Sequence, residues 1–211
     1  MNANAPMMSI EQLLYVFSII GTVVFAVSGA LFAAEKRMDI LGFILVGTVT
    51  GVGGGTLRDL LLGISPVSWV QSPLAVYICI GASALTYFTV DLYRRRDAWI
   101  LWTDAIGLSV FAVMGAQAAL AHEVPPLIAV VMGVMTATFG GLMRDVLCAE
   151  VLTLMRPEIY ITSALLGAST YVGLHQLGVG ESSAAAVAFL MGFGLRGAAI
   201  WFRLTLPRFG A

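Results

Sequence analysis

The sequence predicts an all-α membrane protein with seven transmembrane helices, arranged as two inverted three-helix repeats plus a seventh helix. The prediction rests on composition, on the spacing of apolar stretches and on an internal similarity. The chain has 211 residues, of which 59% are hydrophobic and 11% are charged, and its mean hydropathy is +0.94. In a soluble domain roughly a quarter of all residues are charged, so a water-soluble globule is excluded.

Seven apolar stretches take up nearly the whole chain. A helix that crosses a bilayer needs about 20 apolar residues, and the connections left between these stretches are short. The predicted spans are residues 10–34, 40–62, 73–92, 101–121, 126–148, 159–177 and 184–204. The chain is therefore expected to form a single transmembrane domain over residues 1–211, without a soluble domain.

The basic residues predict the orientation. Cytoplasmic loops retain Lys and Arg, and translocated loops lack them. With seven spans, the first, third and fifth loops and the C-terminal segment share one side of the membrane. The first, third and fifth loops and the C-terminal end hold eight basic residues, whereas the N-terminus and the other loops hold no Lys or Arg; the eight are Lys36, Arg37, Arg94, Arg95, Arg96, Arg156, Arg203 and Arg208. The N-terminus is expected outside and the C-terminus in the cytoplasm.

An internal repeat appears when the chain is shifted by 86 residues. Residues 19–34 (IIGTVVFAVSGALFAA) align with 105–120 (AIGLSVFAVMGAQAAL), and 47–63 align with 133–149. Repeat one covers about 10–92, repeat two about 101–177, and the extra helix about 184–204. Because each repeat has three spans, the second copy enters the membrane from the opposite side, as in many transport proteins.

Glycines cluster in the second and fifth spans. A glycine in a helix interior costs about 1 kcal/mol relative to alanine, so the clusters predict a kink or break. Backbone groups that lose their helical hydrogen bonds within a membrane must be buried in protein or line a water-filled cavity. The alternative role of the glycines is to let neighbouring helices pack closely. The candidate hinge or pore-lining residues are Gly51, Gly53, Gly54, Gly55, Gly140 and Gly141, with Thr50, Thr136 and Thr138 beside them.

An Arg-Asp pair follows each glycine cluster, Arg58-Asp59 and Arg144-Asp145. Each arginine lies about 10 Å from the bilayer centre, where it must be paired, hydrated or snorkelling. Inverted placement favours a pair of gates or anion clamps over snorkelling. Consecutive helical residues do not face one another, so the partners are expected on other helices. By depth, Glu11 is the candidate partner of Arg58, and Asp104 that of Arg144. Arg196, in the last span, either faces the bundle interior or snorkels.

The sequence does not favour a catalytic, metal-binding or nucleic-acid-binding site. The two histidines, His122 and His175, fall at span ends, so no serine-histidine or two-histidine metal site forms at mid-membrane depth, and the chain is not expected to be an enzyme. Cys79 and Cys148 stand in apolar runs and are expected to pack. The formal net charge of −1 gives no reason to expect a nucleic-acid partner.

The doubled glycine-rich segment ending in Arg-Asp, within a three-plus-three-plus-one layout, resembles the prokaryotic trimeric intracellular cation (TRIC) channels over essentially the whole chain. The resemblance implies a homotrimer in the lipid bilayer of the prokaryotic inner membrane. It also implies one potassium-conducting pore per protomer, lined by the second and fifth helices.

The permeant ions implied are potassium, sodium and other monovalent cations. No cofactor is implied, and bound lipid is compatible with the family. Gating or charge roles are expected for Arg58, Asp59, Asp104, Arg144, Asp145 and Arg196. The Lys-Glu-Val tripeptide of animal members is absent from the second helix. Some bacterial relatives are labelled glycine transporters, so a small-solute carrier is the alternative.

Overall fold

The computed structural model describes residues 10–90, 96–150 and 159–206, with side chains from residue 15 in the first segment and from residue 98 in the second. These residues form eight helices. They are α1 (Ile10–Glu35), α2 (Ile40–Leu61), α3 (Ser68–Gln71), α4 (Leu74–Thr89), α5 (Arg96–Ala121), α6 (Pro126–Leu147), α7 (Ile161–Gln176) and α8 (Glu181–Phe202). The prediction of an all-helical membrane protein is confirmed.

Helix length separates these elements into three groups. Within the described residues, α1, α2, α5, α6 and α8 are long and apolar enough to cross a membrane. Helices α4 and α7 have 16 residues each, about 24 Å, which is less than the ~30 Å hydrocarbon core. The four-residue α3 lies in the loop after α2 and was not predicted. The seven longer helices coincide with the predicted spans, and their number as membrane crossings stays a prediction.

The ends of α2 and α6 follow from local sequence. Asp39 caps α2, where its carboxylate accepts the amide of Gly42 at 2.8 Å, and α6 begins with Pro126, which needs no amide partner there. A residue of positive φ follows the C-cap of each helix, Gly63 after α2 and Ala149 after α6. These two residues are 86 positions apart, so the sequence repeat extends to the way that the helices terminate.

The helices pack as two groups. Helices α1, α2 and α4 contact one another, and α5, α6 and α7 do the same, with α8 against α5 and α7. The groups meet where α1 contacts α5 and where α2 contacts α6. Phe25 and Phe111, also 86 residues apart, pack with ring centroids 5.2 Å apart in this junction. The junction therefore joins equivalent parts of the two copies.

The predicted break at the glycines is wrong. Helix α2 continues without interruption through Gly51 to Gly55, and α6 continues through Gly140 and Gly141. A broken helix would leave backbone groups without partners in an apolar environment, which costs several kcal/mol each. The uninterrupted hydrogen bonds outweigh the low helix propensity of glycine, and the milder expectation of a kink stays a prediction.

Candidate functional site

The glycines bring α2 and α6 into backbone contact at a point that we call the glycine crossing, formed by Thr50, Gly54, Thr136 and Gly140. A Cβ added to Gly54 would lie 2.0 Å from the carbonyl oxygen of Thr136, and one added to Gly140 would lie 2.4 Å from that of Thr50. The two contacts are related by the 86-residue shift. Because position 50 meets 140 and position 54 meets 136, the helices run antiparallel at the crossing.

The two arginines lie on opposite sides of the glycine crossing. Each arginine follows its crossing glycine by four residues, on helices that run in opposite directions. At 1.5 Å per residue, Arg58 and Arg144 lie about 18 Å apart along the helix axes, on opposite sides of the glycine crossing. The chain therefore has two charged sites in series, one on each side of a closely packed point.

Arg144 lies in a closed ion-pair cluster, and only 2% of it is exposed. Its Nη1 donates to Asp104 Oδ1 at 2.7 Å and to Ser28 Oγ at 3.0 Å. The ring of Phe32 covers the guanidinium, with its centroid 4.1 Å from Cζ. The predicted partnership of Asp104 with Arg144 is confirmed. Charge-assisted hydrogen bonds and the aromatic face compensate for the loss of solvent around the cation.

Each arginine also binds the aspartate that follows it, contrary to the expectation from helix geometry. Nε and Nη2 of Arg144 donate to Asp145 Oδ1 at 3.0 and 2.9 Å. Those of Arg58 donate to Asp59 Oδ1 at 2.9 and 2.6 Å. The expectation that both partners must come from other helices is wrong, because the arginine side chain is long enough to fold back onto its neighbour. The predicted contact of Glu11 with Arg58 falls on a side chain outside the described residues.

Residues of the α3 loop complete the Arg58 site. The backbone amide and Oγ of Ser68 donate to Asp59 Oδ2 at 2.8 and 2.5 Å. Trp69 Nε1 donates to Thr56 Oγ1 at 2.8 Å. Asp59, at 1% exposure, therefore has hydrogen-bond donors on both carboxylate oxygens, and the loop is fixed to α2.

A cavity of about 450 Å³ opens beside Arg58. We call it the Arg58 cavity. Its polar lining includes Arg58, Ser68, Ser72 and Gln117, and its apolar lining includes Ile78 and Phe111. Arg58 keeps 14% of its side chain exposed, against 2% for Arg144. The two Arg-Asp sites thus share a local motif but differ in access.

The predicted hinge or pore-lining residues differ in what surrounds them. Gly51 and Gly55 line the Arg58 cavity. The glycine crossing contains Gly54 and Gly140, whereas Gly53 and Gly141 face the side chains of Met143 and Tyr160. The hydroxyls of Thr50, Thr136 and Thr138 are buried and donate to carbonyls one turn earlier in their own helices. The threonine hydroxyl protons are therefore already engaged.

Arg196 is buried in α8 at 2% exposure, which agrees with the interior placement and not with snorkelling. Its Nη1 donates to the Ile159 carbonyl at 3.3 Å, and its Cζ lies 5.1 Å from the ring centroid of Tyr160. The ring of Tyr160 is thus in contact with the buried cation of α8, and its hydroxyl adjoins Gly141 beside Arg144. Helix α8 therefore reaches the Arg144 cluster through Tyr160.

Several site residues carried no sequence signal of their own. Ser28, Phe32, Ser68 and Tyr160 are ordinary residues of apolar stretches or loops, and only their distance from an Arg-Asp pair in the fold identifies them.

An ion pair between Lys36 Nζ and Glu150, 2.5 Å apart, joins the loop after α1 to the end of α6. The hydrogen bond to Glu150 raises the pKa of Lys36. In the described segments, no group of three or more His, Cys, Asp or Glu could hold a metal ion.

Fold and site together define a polytopic helical membrane protein with an Arg-Asp pair on each side of a glycine-mediated helix crossing, one buried and one beside a cavity. A family model described as "Glycine transporter" matches residues 15–91 and 101–176. The chain is 41% identical over 200 residues to the UPF0126 inner membrane protein YadS of Escherichia coli, covering 94% of this chain and 97% of that protein.

Solved structures match over nearly the same length. The TRIC trimeric intracellular cation channel orthologue from Rhodobacter sphaeroides is 46% identical, with a TM-score of 0.89, over 91% of this chain and 99% of that chain. A prokaryotic TRIC channel crystallised in 0.5 M KCl is 31% identical, with a TM-score of 0.87, over 93% and 100%. The chain belongs to the prokaryotic TRIC family. Its relatives are channels and membrane proteins, so the prediction that it is not an enzyme is confirmed, and as a channel-family member it uses no cofactor.

Proposed function

We propose that the chain forms a homotrimeric channel for monovalent cations, principally potassium, in the inner membrane. Each protomer carries its own pore, lined by α2 and α6. The observation that carries the proposal is the similarity to solved TRIC cation channels along almost the entire chain. The structural neighbours support a cation channel, whichever ion passes and whichever helices line the pore.

The architecture proposed is seven spans in two inverted repeats plus α8, with the N-terminus outside. Two observations support inversion. Equivalent helices α2 and α6 run antiparallel where they cross, and the crossing contacts occur as two pairs related by the 86-residue shift. The family model also matches two successive segments of the chain. Inverted repeats place a transport path at the interface between the copies.

The proposed path runs from the Arg58 cavity past the glycine crossing to the Arg144 cluster. Gly51 and Gly55 line its open end, and the closely packed glycine crossing lies between the two arginines. Arg144 carries one positive charge and is held by two carboxylates, Asp104 and Asp145, so the gate that we propose is steric: the buried side chain closes the path at this end. Arg58 with Asp59 forms the charged site at the open end.

A small-solute carrier is the second candidate function. It is favoured by the "Glycine transporter" description of the matching family model, and by a cavity that is accessible at one arginine while the other arginine is enclosed. A carrier exposes its site to one side of the membrane at a time. The two functions differ in turnover, since a continuous ion path passes ions much faster than a protein that changes conformation once per cycle.

Purified protein in liposomes distinguishes the candidates. Potassium flux and labelled-glycine uptake are measured on the same preparation, with protein-free liposomes as the control. Potassium flux well above carrier rates, without glycine uptake, supports the channel. Saturable glycine uptake without potassium flux overturns it. Native mass spectrometry of the detergent-extracted protein tests the trimer, because a mass of one or two protomers contradicts it.

A further inference from the structure

The two arginines present the same free end to their surroundings. Both use Nε and Nη2 to hold the carboxylate of the next residue, at 2.6 to 3.0 Å. In each case the remaining nitrogen, Nη1, points away from that aspartate. The groups that contact Nη1 of Arg144 therefore indicate which groups suit Nη1 of Arg58.

At Arg144 the remaining nitrogen binds a carboxylate. Nη1 donates to Asp104 Oδ1 at 2.7 Å and to Ser28 Oγ at 3.0 Å, and the cluster has no room for a further group. At Arg58, Nη1 donates to no residue of the described segments. The charge-assisted hydrogen bond that completes one guanidinium is thus missing from the other.

The difference comes from four positions. Under the 86-residue shift, Ser18, Leu74, Met114 and Ala118 stand where the other end has Asp104, Tyr160, Ser28 and Phe32. All four line the Arg58 cavity. Replacing a carboxylate by a hydroxyl removes the ion-pair partner, and replacing two aromatic rings by alanine and leucine makes space. The cavity lies where the Asp104 side chain and its neighbours would otherwise be.

We propose that the Arg58 cavity is a binding site for a small carboxylate, whose oxygens take the place that the Asp104 carboxylate has at Arg144. A guanidinium suits a carboxylate because its planar N–H groups match the two oxygens. Asp59 does not compete with the ligand for further donors, because Ser68 already satisfies its second oxygen. The volume of about 450 Å³ lies within the ordinary range for small-molecule sites, roughly 300–1,000 Å³.

The rest of the lining sets the size and character of the ligand. Ile78 and Phe111 provide apolar contact for a short carbon chain, and Gln117 and Ser72 offer hydrogen bonds. Simple carboxylates and free amino acids share the carboxylate and differ in the ammonium group. The proposal concerns binding alone, so it holds or fails whether the chain conducts cations or carries a solute.

The test uses the purified full chain in detergent and ligand-observed NMR titration at constant ionic strength and chloride. Acetate, glycine and glycinamide are the probes. Acetate and glycine should bind saturably, and glycinamide, which lacks the carboxylate, should not. Tighter binding of glycine than of acetate would show that the cavity also recognises the ammonium group. Binding of glycinamide in place of acetate, or no saturable acetate binding, overturns the proposal.

Two variants locate the site. Arg58→Gln should weaken acetate binding at least about tenfold, since it removes the charged donor. Ser18→Asp should do the same, because a tethered carboxylate then occupies Nη1 as Asp104 does at the other end. If Arg58→Gln does not fold, Arg58→Lys replaces it. An ammonium engaged by Asp59 lacks the guanidinium fork that reaches the cavity, so acetate affinity should fall as well.

Matched controls separate the site from general charge effects. Lys36→Gln removes one positive charge outside the cavity, and Ser183→Asp adds one negative charge at an exposed position of α8. Both should keep the wild-type acetate affinity. Equal acetate affinity in wild type and Arg58→Gln, or equal losses in a site variant and its control, would disprove the assignment.

Discussion

Gly54→Ala should push α2 and α6 apart. The added Cβ would lie 2.0 Å from the Thr136 carbonyl oxygen, where ordinary contacts begin at 3.4 Å, so the two backbones must separate by about 1.4 Å. Overpacking of this kind costs about 1–3 kcal/mol. The gain in helix propensity of about 1 kcal/mol offsets part of that loss.

Gly55→Ala is the matched control, one residue further along the same helix. Its Cβ would meet only Arg58 Nη2 at 3.9 Å, which is ordinary contact. Both variants gain the same propensity, so the difference between their free energies of unfolding isolates the strain at the crossing, about 1–3 kcal/mol. In a chain of this size 1 kcal/mol moves the Tm by about 2–4 °C.

The assay is thermal or SDS-induced unfolding of the detergent-solubilised protein. Gly140→Ala provides an independent repeat, since its Cβ would lie 2.4 Å from the Thr50 carbonyl oxygen. The double variant should cost less than the sum of the two, because both substitutions separate the same helix pair. If Gly54→Ala is as stable as Gly55→Ala, the glycine crossing does not depend on the missing side chain.

Two further predictions concern the gate and the topology. Arg144→Gln should lower the free energy of unfolding by about 3–5 kcal/mol, because it leaves the carboxylates of Asp104 and Asp145 buried without their cation. Adding Asp104→Asn should recover part of that loss, and in liposomes the double variant should pass more potassium than wild type. Reduced potassium flux in the folded double variant would contradict the gate. A cysteine in the loop 65–68 should react with an impermeant reagent from outside and one beside Arg95 only from inside, and the reverse pattern would overturn the orientation.

The contact between Asp104 and Arg144 was predictable, whereas that between Arg58 and Asp59 was not. Depth along a span follows from counting residues, and a buried arginine requires a carboxylate at matching depth. Pairing with the next residue depends on the rotamer of a long side chain, which the surrounding helices determine. The helical direction of consecutive residues, about 100° apart, therefore led to the wrong expectation for the aspartates.

The glycine clusters led to a similar error, because helix propensity describes an isolated helix. It does not include a neighbouring backbone that approaches within contact distance, nor the penalty for an unpaired amide in an apolar environment. Once α2 and α6 are packed together, the missing Cβ permits the crossing, and the helix stays continuous. The sequence located the unusual segment, and the partner helix gave it its role.

Apolar composition, helix positions, the 86-residue repeat and the two Arg-Asp pairs were determined by the sequence alone, because each is a property of residue type and spacing along the chain. The difference in enclosure between the Arg58 site and the Arg144 site was decided by the tertiary structure. Two differences between the copies look routine in the sequence: Ser18 corresponds to Asp104, and Ala118 corresponds to Phe32. Their importance appears only when the fold places these positions around the two arginines. Only then does one guanidinium become enclosed by its own chain while the other borders a cavity, because enclosure depends on contacts between helices distant in sequence.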